Sequence, residues 1–167
     1  VESCLERTGM GPGELLDCHR LFCIPTTAAS CTYLEPHERK LLGKKHVTAV
    51  ATPVAAYKSG QASTPILESV KAGMNVALGT GGAIECGNLD LCEVMRFAAM
   101  DARRESGDSA ALPASAALMM ATVTGAQAQG RSKECGMLQV GMDADIVLVD
   151  FTAPHLMPCH NVLNGLL

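Results

Sequence analysis

The chain has 167 residues, 48% hydrophobic and 18% charged, with a net charge of −4. That is enough apolar mass for one folded core, and the balance excludes an intrinsically disordered chain. The 13 Lys and Arg are scattered apart from Arg39-Lys40 and Lys44-Lys45, and aromatics are only 3%, which argues against a nucleic-acid surface or a base-stacking platform.

No apolar run approaches the roughly 20 residues needed to span a membrane. Val1-Glu2-Ser3 opens without a basic or apolar leader, so no signal peptide is visible, and a start at Val1 is that expected of a fragment or processed chain. The eight cysteines (Cys4, Cys18, Cys23, Cys31, Cys86, Cys92, Cys135 and Cys159) contain no C-x-x-C pair. Free thiols in a reducing, cytoplasmic setting are expected, rather than a disulfide framework or a zinc site.

In chain order, Pro12–Cys18 predicts a short helix with Pro in its first turn, and Thr26–Cys31 a small-residue strand. Glu35–Lys45 predicts a charged helix with Leu41 and Leu42 turned inward. Val47–Ala51 predicts a second strand closed by Thr52-Pro53, with a loop over 54–62. A helix follows with Thr64 as N-cap, Pro65 at its first position, Ile66, Leu67 and Val70 on one face, and Gly73 past its end. Met74–Leu78 (MNVAL) predicts a buried parallel strand, followed by Gly79-Thr80-Gly81-Gly82 and a polar loop. Asp90 is an N-cap for the helix 90–104, with Glu93 completing a capping box and Leu89 and Val94 a hydrophobic staple. Pro113–Gln129 predicts one Ala- and Met-rich helix. The tail predicts short strands at 136–141 and 144–149, joined as a hairpin through Gly141-Met142-Asp143, then an extended segment over 150–167.

The alternation of strands and helices gives an α/β fold with a parallel sheet. In such folds chemistry sits on loops past the carboxyl ends of strands. Gly79-Thr80-Gly81-Gly82 is such a loop, yet carries no side chain able to bind a metal or move a proton. As a phosphate cradle it lacks the third glycine of G-x-G-x-x-G, since position 84 is Ile84, and it lacks Gly-Lys-Ser/Thr. The H-x-E and P-C-x-x-C of the zinc nucleobase deaminases of another fold are also missing.

Three stretches resemble the C-terminal part of the amidohydrolase superfamily, in its deaminase/chlorohydrolase branch. Leu67–Arg96 resembles the branch's "AGVNVALGTDGA…NLDLFEEMR" block, 113–130 (PASAALMMATVTGAQAQG) its "P-EAL-MAT-NGARALG" helix, and 136–160 its "GSLEVGKDADIVLVDLDAPHL-P-H" tail. Thr26–Tyr33 and Val47–Lys58 fit the same branch without gaps. The resemblance implies a partial (β/α)8 barrel, its last three βα units in residues 1–130, followed by a small C-terminal β segment in 131–167. It also implies a family reaction in which one zinc or iron activates water to hydrolyse a C–N bond of a nucleobase-type ring.

Carried over residue by residue, the implied site is degenerate. The metal-binding His falls on Ser30, the His used on substrate falls on Ala51, and the metal-linked, proton-carrying Asp falls on Gly81. The first metal pair and the His-x-x-Glu strand that the resemblance implies are expected upstream of Val1. Cys31, one residue past the site position, is expected to point the other way. His46 precedes its strand and faces the opposite end, and His19, His37, His155 and His160 read as surface or structural residues.

Two readings follow. One is a deaminase-like hydrolase by descent, inactive as this chain, with no cofactor of its own. The other is a non-catalytic, partner-binding remnant or a truncated piece of a larger active hydrolase. With two sheet edges uncovered, a homo-oligomer or a longer relative is the expected partner, with no nucleic acid and no membrane.

Overall fold

A computed structural model of the chain describes residues 1–167, apart from the side chain of His155. The chain opens with α1 (Glu2–Thr8) and α2 (Pro12–Cys18), followed by a 3-10 turn at Leu21–Cys23. Then come β1 (Thr27–Ala29), α3 (Pro36–Lys44), β2 (Thr48–Ala51), α4 (Pro53–Lys58), α5 (Ile66–Lys71) and β3 (Asn75–Leu78). After β3 the chain is helical: α6 (Ala83–Cys86), α7 (Leu91–Ser106), α8 (Ala114–Ala121) and α9 (Val123–Ala128). A 3-10 turn at Pro154–Leu156 and α10 (Val162–Leu166) close it. Among the described residues no helix is long and apolar enough to cross a membrane.

The three strands form one parallel sheet in the order β1-β2-β3. Thr27, Ala28 and Ala29 pair with Thr48, Ala49 and Val50, and Thr48 through Ala51 pair with Asn75 through Leu78. β2 and β3 are buried on both faces, so their short runs of small and branched apolar residues fill the core with Val94, Ala98 and Ala117 of the covering helices. β1 is a partly exposed edge. Below it, Thr27 Oγ1 donates to the Ala128 carbonyl at 2.7 Å, tying the end of α9 to the first strand.

Local signals set several boundaries as read. Asp90 caps α7, its carboxylate accepting from the amides of Cys92 (2.8 Å) and Glu93 (3.3 Å). The capping box is only half made, because the Glu93 carboxylate takes the Asn88 side-chain amide at 2.8 Å while Asn88 Oδ1 takes the Asp90 amide. Leu89 is 67% exposed, so no staple to Val94 is buried. In α5 the buried face is Ile66 and Ser69; Val70 faces outward, and Thr64 lies buried one residue before the Pro65 cap.

Three segments before the tail differ from expectation. Residues 53–58 form α4 rather than a loop, because Tyr57 reaches across to donate to the Asp101 carboxylate on α7. The loop after β3 contains α6, closed by a capping box in which Glu85 Oε2 accepts from the Gly82 amide at 2.9 Å. The single helix expected over 113–129 breaks at Thr122, whose φ of −118° and ψ of −84° leave the helical region. Its hydroxyl bonds back to the Leu118 carbonyl at 2.7 Å, and the backbone of Gly136 packs against the break.

The tail also differs. Its turn forms, with the Met142 amide donating to the Gln139 carbonyl, but no hairpin follows, and 136–149 contain no strand. The Asp143 amide is drawn instead to the Glu134 carbonyl at 2.7 Å, and Arg131 pairs with both Glu134 and Asp143. The segment 150–167 is not extended throughout, since Asn161 caps α10 by accepting from the Asn164 amide.

Candidate functional site

The parallel register brings the three degenerate positions to one end of the sheet. The Ser30 amide donates to the Val50 carbonyl at 3.2 Å, which sets Ser30 level with the end of β2. The Gly79 amide donates to the Ala51 carbonyl at 3.0 Å, which starts the loop carrying Gly81. Beyond these ends lies a cleft of about 410 Å³ whose lining includes Ser30, Thr52, Lys58, Gln61, Thr64 and Glu85.

The three positions do not reach this cleft equally. Ser30 lines it from a left-handed backbone, φ +53°. Ala51 is wholly buried among core side chains, and its neighbour Thr52 faces the cleft instead. Gly81 stands at the rim between Ala55 and Glu85, with φ +73°.

The chemistry-bearing side chains of the cleft are ones that sequence reading missed. Glu85 brings a carboxylate whose Oε2 holds the Gly82 amide. Lys58 extends its ammonium to the Cys86 carbonyl and closes the end of α6. Both arrive on helices too short to show as periodic patterns. The signals available were Pro53 just after a strand and Gly82 three residues before Glu85. The rest of the lining is hydroxyl, amide and methyl, a surface able to hydrogen-bond a polar ligand but poor in groups that transfer protons near neutral pH.

The residues present do not fit the zinc or iron that the resemblance implies. Among the described residues no three His, Cys, Asp or Glu side chains converge as a metal would require. Cys31 is buried, its thiol near the Ala28 carbonyl, and burial pushes that thiol above its ordinary value, with the Arg39 charge acting weakly the other way. A metal-binding cysteine needs the opposite shift. His46 precedes β2 and so lies at the end of the sheet opposite Ser30, and His37 pairs with Glu14 at 3.3 Å. His19 and His160 are exposed, and the side chain of His155 is outside the described residues.

Comparison with known proteins gives a consistent result. The sequence model of the amidohydrolase family matches residues 4–165. A 5-methylthioadenosine/S-adenosylhomocysteine deaminase of Moorella thermoacetica is 40% identical over 162 residues, covering 97% of this chain and 38% of the relative. A 5'-deoxyadenosine deaminase of Methanosarcina mazei is 38% identical, over 96% of this chain and 37% of the relative. Among solved structures, a zinc-bound adenosine deaminase from Xanthomonas campestris superposes with a TM-score of 0.92 at 31% identity, covering 99% of this chain and 38% of its own. The chain thus spans about 38% of the length of these relatives.

Proposed function

Because the chain belongs to the amidohydrolase family, we propose that it is a deaminase-type portion of that family whose own site is catalytically silent. The family reaction is hydrolytic deamination, the metal-assisted hydrolysis of a C–N bond in a nucleobase-type ring. On this reading the three βα units are the last part of a (β/α)8 barrel in 1–130, and 131–167 belong to a separate small β domain.

One observation carries the reading. β1, β2 and β3 end together, and at that end the positions matched to a metal His, a substrate His and a proton-carrying Asp are Ser30, Ala51 and Gly81. A hydroxyl, a methyl and a hydrogen supply neither the imidazole nor the carboxylate with which such sites hold zinc or iron and exchange protons near neutral pH. The four-residue helix after Gly81 uses its one carboxylate, that of Glu85, as a cap.

A second reading rests on the 38% span. Here the chain is one piece of a larger assembly, and a second copy or a longer relative covers the edges of β1 and β3. Cytoplasmic residence accords with eight unpaired thiols.

The test is metal content and turnover of the purified chain after growth with added zinc and iron. Substoichiometric metal and no ammonia release from 5'-methylthioadenosine, S-adenosylhomocysteine or 5'-deoxyadenosine is the expected result. One metal per chain, or turnover, overturns the first reading. Sedimentation tests the second, which a compact monomer with cooperative unfolding overturns.

A further inference from the structure

We propose that Asn164-Gly165 is a site of spontaneous covalent modification, at which the Asn164 side-chain amide leaves as ammonia and the carboxylate that replaces it is received by Arg96 and Arg103. The inference stands apart from the fate of the strand-end cleft.

The asparagines of the chain are Asn75, Asn88, Asn161 and Asn164, and only Asn164 is followed by glycine. Glycine presents its backbone nitrogen with no Cβ in the way and with the widest choice of backbone angles. Once the Gly165 nitrogen gives its proton to a base in solvent, it attacks the Asn164 side-chain carbonyl carbon. A bond forms between that nitrogen and that carbon, the carbon's bond to the side-chain nitrogen breaks, and ammonia leaves with a proton from water. Water then opens the five-membered imide at either carbonyl, giving aspartate or isoaspartate. The sequence is a hydrolysis throughout, with water as its one co-reactant.

The local structure lets this chemistry proceed. Asn164 is exposed, and α10 buries none of its residues. The Gly165 amide donates to the Asn161 carbonyl at 2.9 Å, so the turn must open before the nitrogen can attack. An exposed turn with no buried side chain opens at small cost.

The surroundings favour the product. Asn164 borders a hollow of about 380 Å³ whose lining includes Arg96 and Arg103, two turns apart on α7. Arg96 Nε donates to the Leu167 carbonyl, and Arg103 Nε to the Ala111 carbonyl at 3.3 Å. Neither guanidinium has an acidic partner among the described residues. The other helix packed on α10, α8, contains no titratable side chain. A carboxylate at 164 therefore meets two cations, which offset its unfavourable place near the carboxyl end of α10.

The experiment holds the whole chain in mildly alkaline buffer made with heavy-oxygen water and maps its peptides over days. Asn164 is expected to convert at least about tenfold faster than Asn161, whose follower is the branched Val162, with heavy oxygen incorporated and an isoaspartate fraction present. Conversion no faster than that of Asn161 overturns the site, as does a signal that persists in Asn164→Gln. A second measurement tests the arginines. Asn164→Asp is expected to raise the thermal midpoint by about 1–2 °C in the wild-type background and to lower it in an Arg96→Met/Arg103→Met background. The same shift in both backgrounds overturns their part.

Discussion

Glu85 stands where a side chain at Gly81 would have to go. Its Oε2 lies 2.7 Å from the position a Cβ at residue 81 would take, and the backbone there is left-handed, φ +73°. A neighbouring carboxylate therefore fills the space beside Gly81 and caps α6 through the Gly82 amide.

Gly81→Asp is accordingly expected to destabilise the chain by about 1–2 kcal/mol, from the left-handed backbone and the crowding of two carboxylates. Adding Glu85→Gln, which keeps the cap acceptor and removes one charge, is expected to recover part of that loss. Urea midpoints of the wild type, the single and the double variant measure it. A fully neutral Gly81→Asp contradicts the contact.

Asp101 is 3% exposed on α7 and accepts from the Tyr57 hydroxyl and from Arg104 Nη2, the latter at 2.9 Å. Truncating a buried, charge-assisted acceptor leaves its donors unsatisfied, so Asp101→Ala is expected to cost about 2–3 kcal/mol, and Tyr57→Phe about 1 kcal/mol. A double-mutant cycle that returns independent effects for Tyr57 and Asp101 argues against their contact.

The same contact carries a pH signature. Burial, then the Asp101 hydrogen bond and charge, raise the Tyr57 pKa in the folded chain. A raised folded value means the stabilisation is complete below the unfolded tyrosine's value, about 10, and is lost as pH climbs past it. Wild-type stability is expected to fall above that pH more steeply than that of Tyr57→Phe, as read from thermal midpoints across the alkaline range.

Glu38 is completely buried, with Oε1 accepting from the Gly13 amide at 2.7 Å and Oε2 from the Glu35 amide at 3.0 Å, which locks α2 onto α3. A Cβ on Gly11 would overlap that carboxylate. Gly11→Ala is expected to cost about 1–3 kcal/mol through overpacking. Gly125, inside α9 with nothing nearer than 3.7 Å, is the control: alanine there is expected to gain about 0.5–1 kcal/mol. Equal effects at the two glycines contradict the packing.

Thiol reactivity follows burial. Cys18 and Cys23 are exposed, whereas Cys31 and Cys86 are buried and burial raises the Cys31 pKa, leaving little thiolate near neutrality. A disulfide reagent is expected to label Cys18 and Cys23 first and to reach Cys31 and Cys86 only on unfolding, with peptide mapping as the readout. Early labelling of Cys31 rules this out.

What was legible from residues alone is what short-range chemistry encodes. MNVAL between Gly73 and Gly79 specified a buried parallel strand, and Asp90 specified the start of α7, because strand burial patterns and N-caps act over a few residues. The sequence likewise shows that Ser30, Ala51 and Gly81 carry no imidazole or carboxylate. Val70, Thr122 and the tail were misread for the converse reason. Their surroundings are set by helix packing, by the approach of Gly136, and by the draw of Glu134 and Arg131 on Asp143.

By itself, then, the sequence determined the βα order, the parallel sheet and the family. Only the tertiary structure decided that residues 53–58 are a helix, since a six-residue helix is marginal without an anchor such as Tyr57 on Asp101. Only it decided that Ser30 faces the cleft while Ala51 is sealed in the core, and that Glu85 fills the space beside Gly81. The physical reason is range. Caps, turns and periodicity are satisfied within about one turn of chain, whereas a ladder, a buried carboxylate or a cleft needs partners brought from tens of residues away.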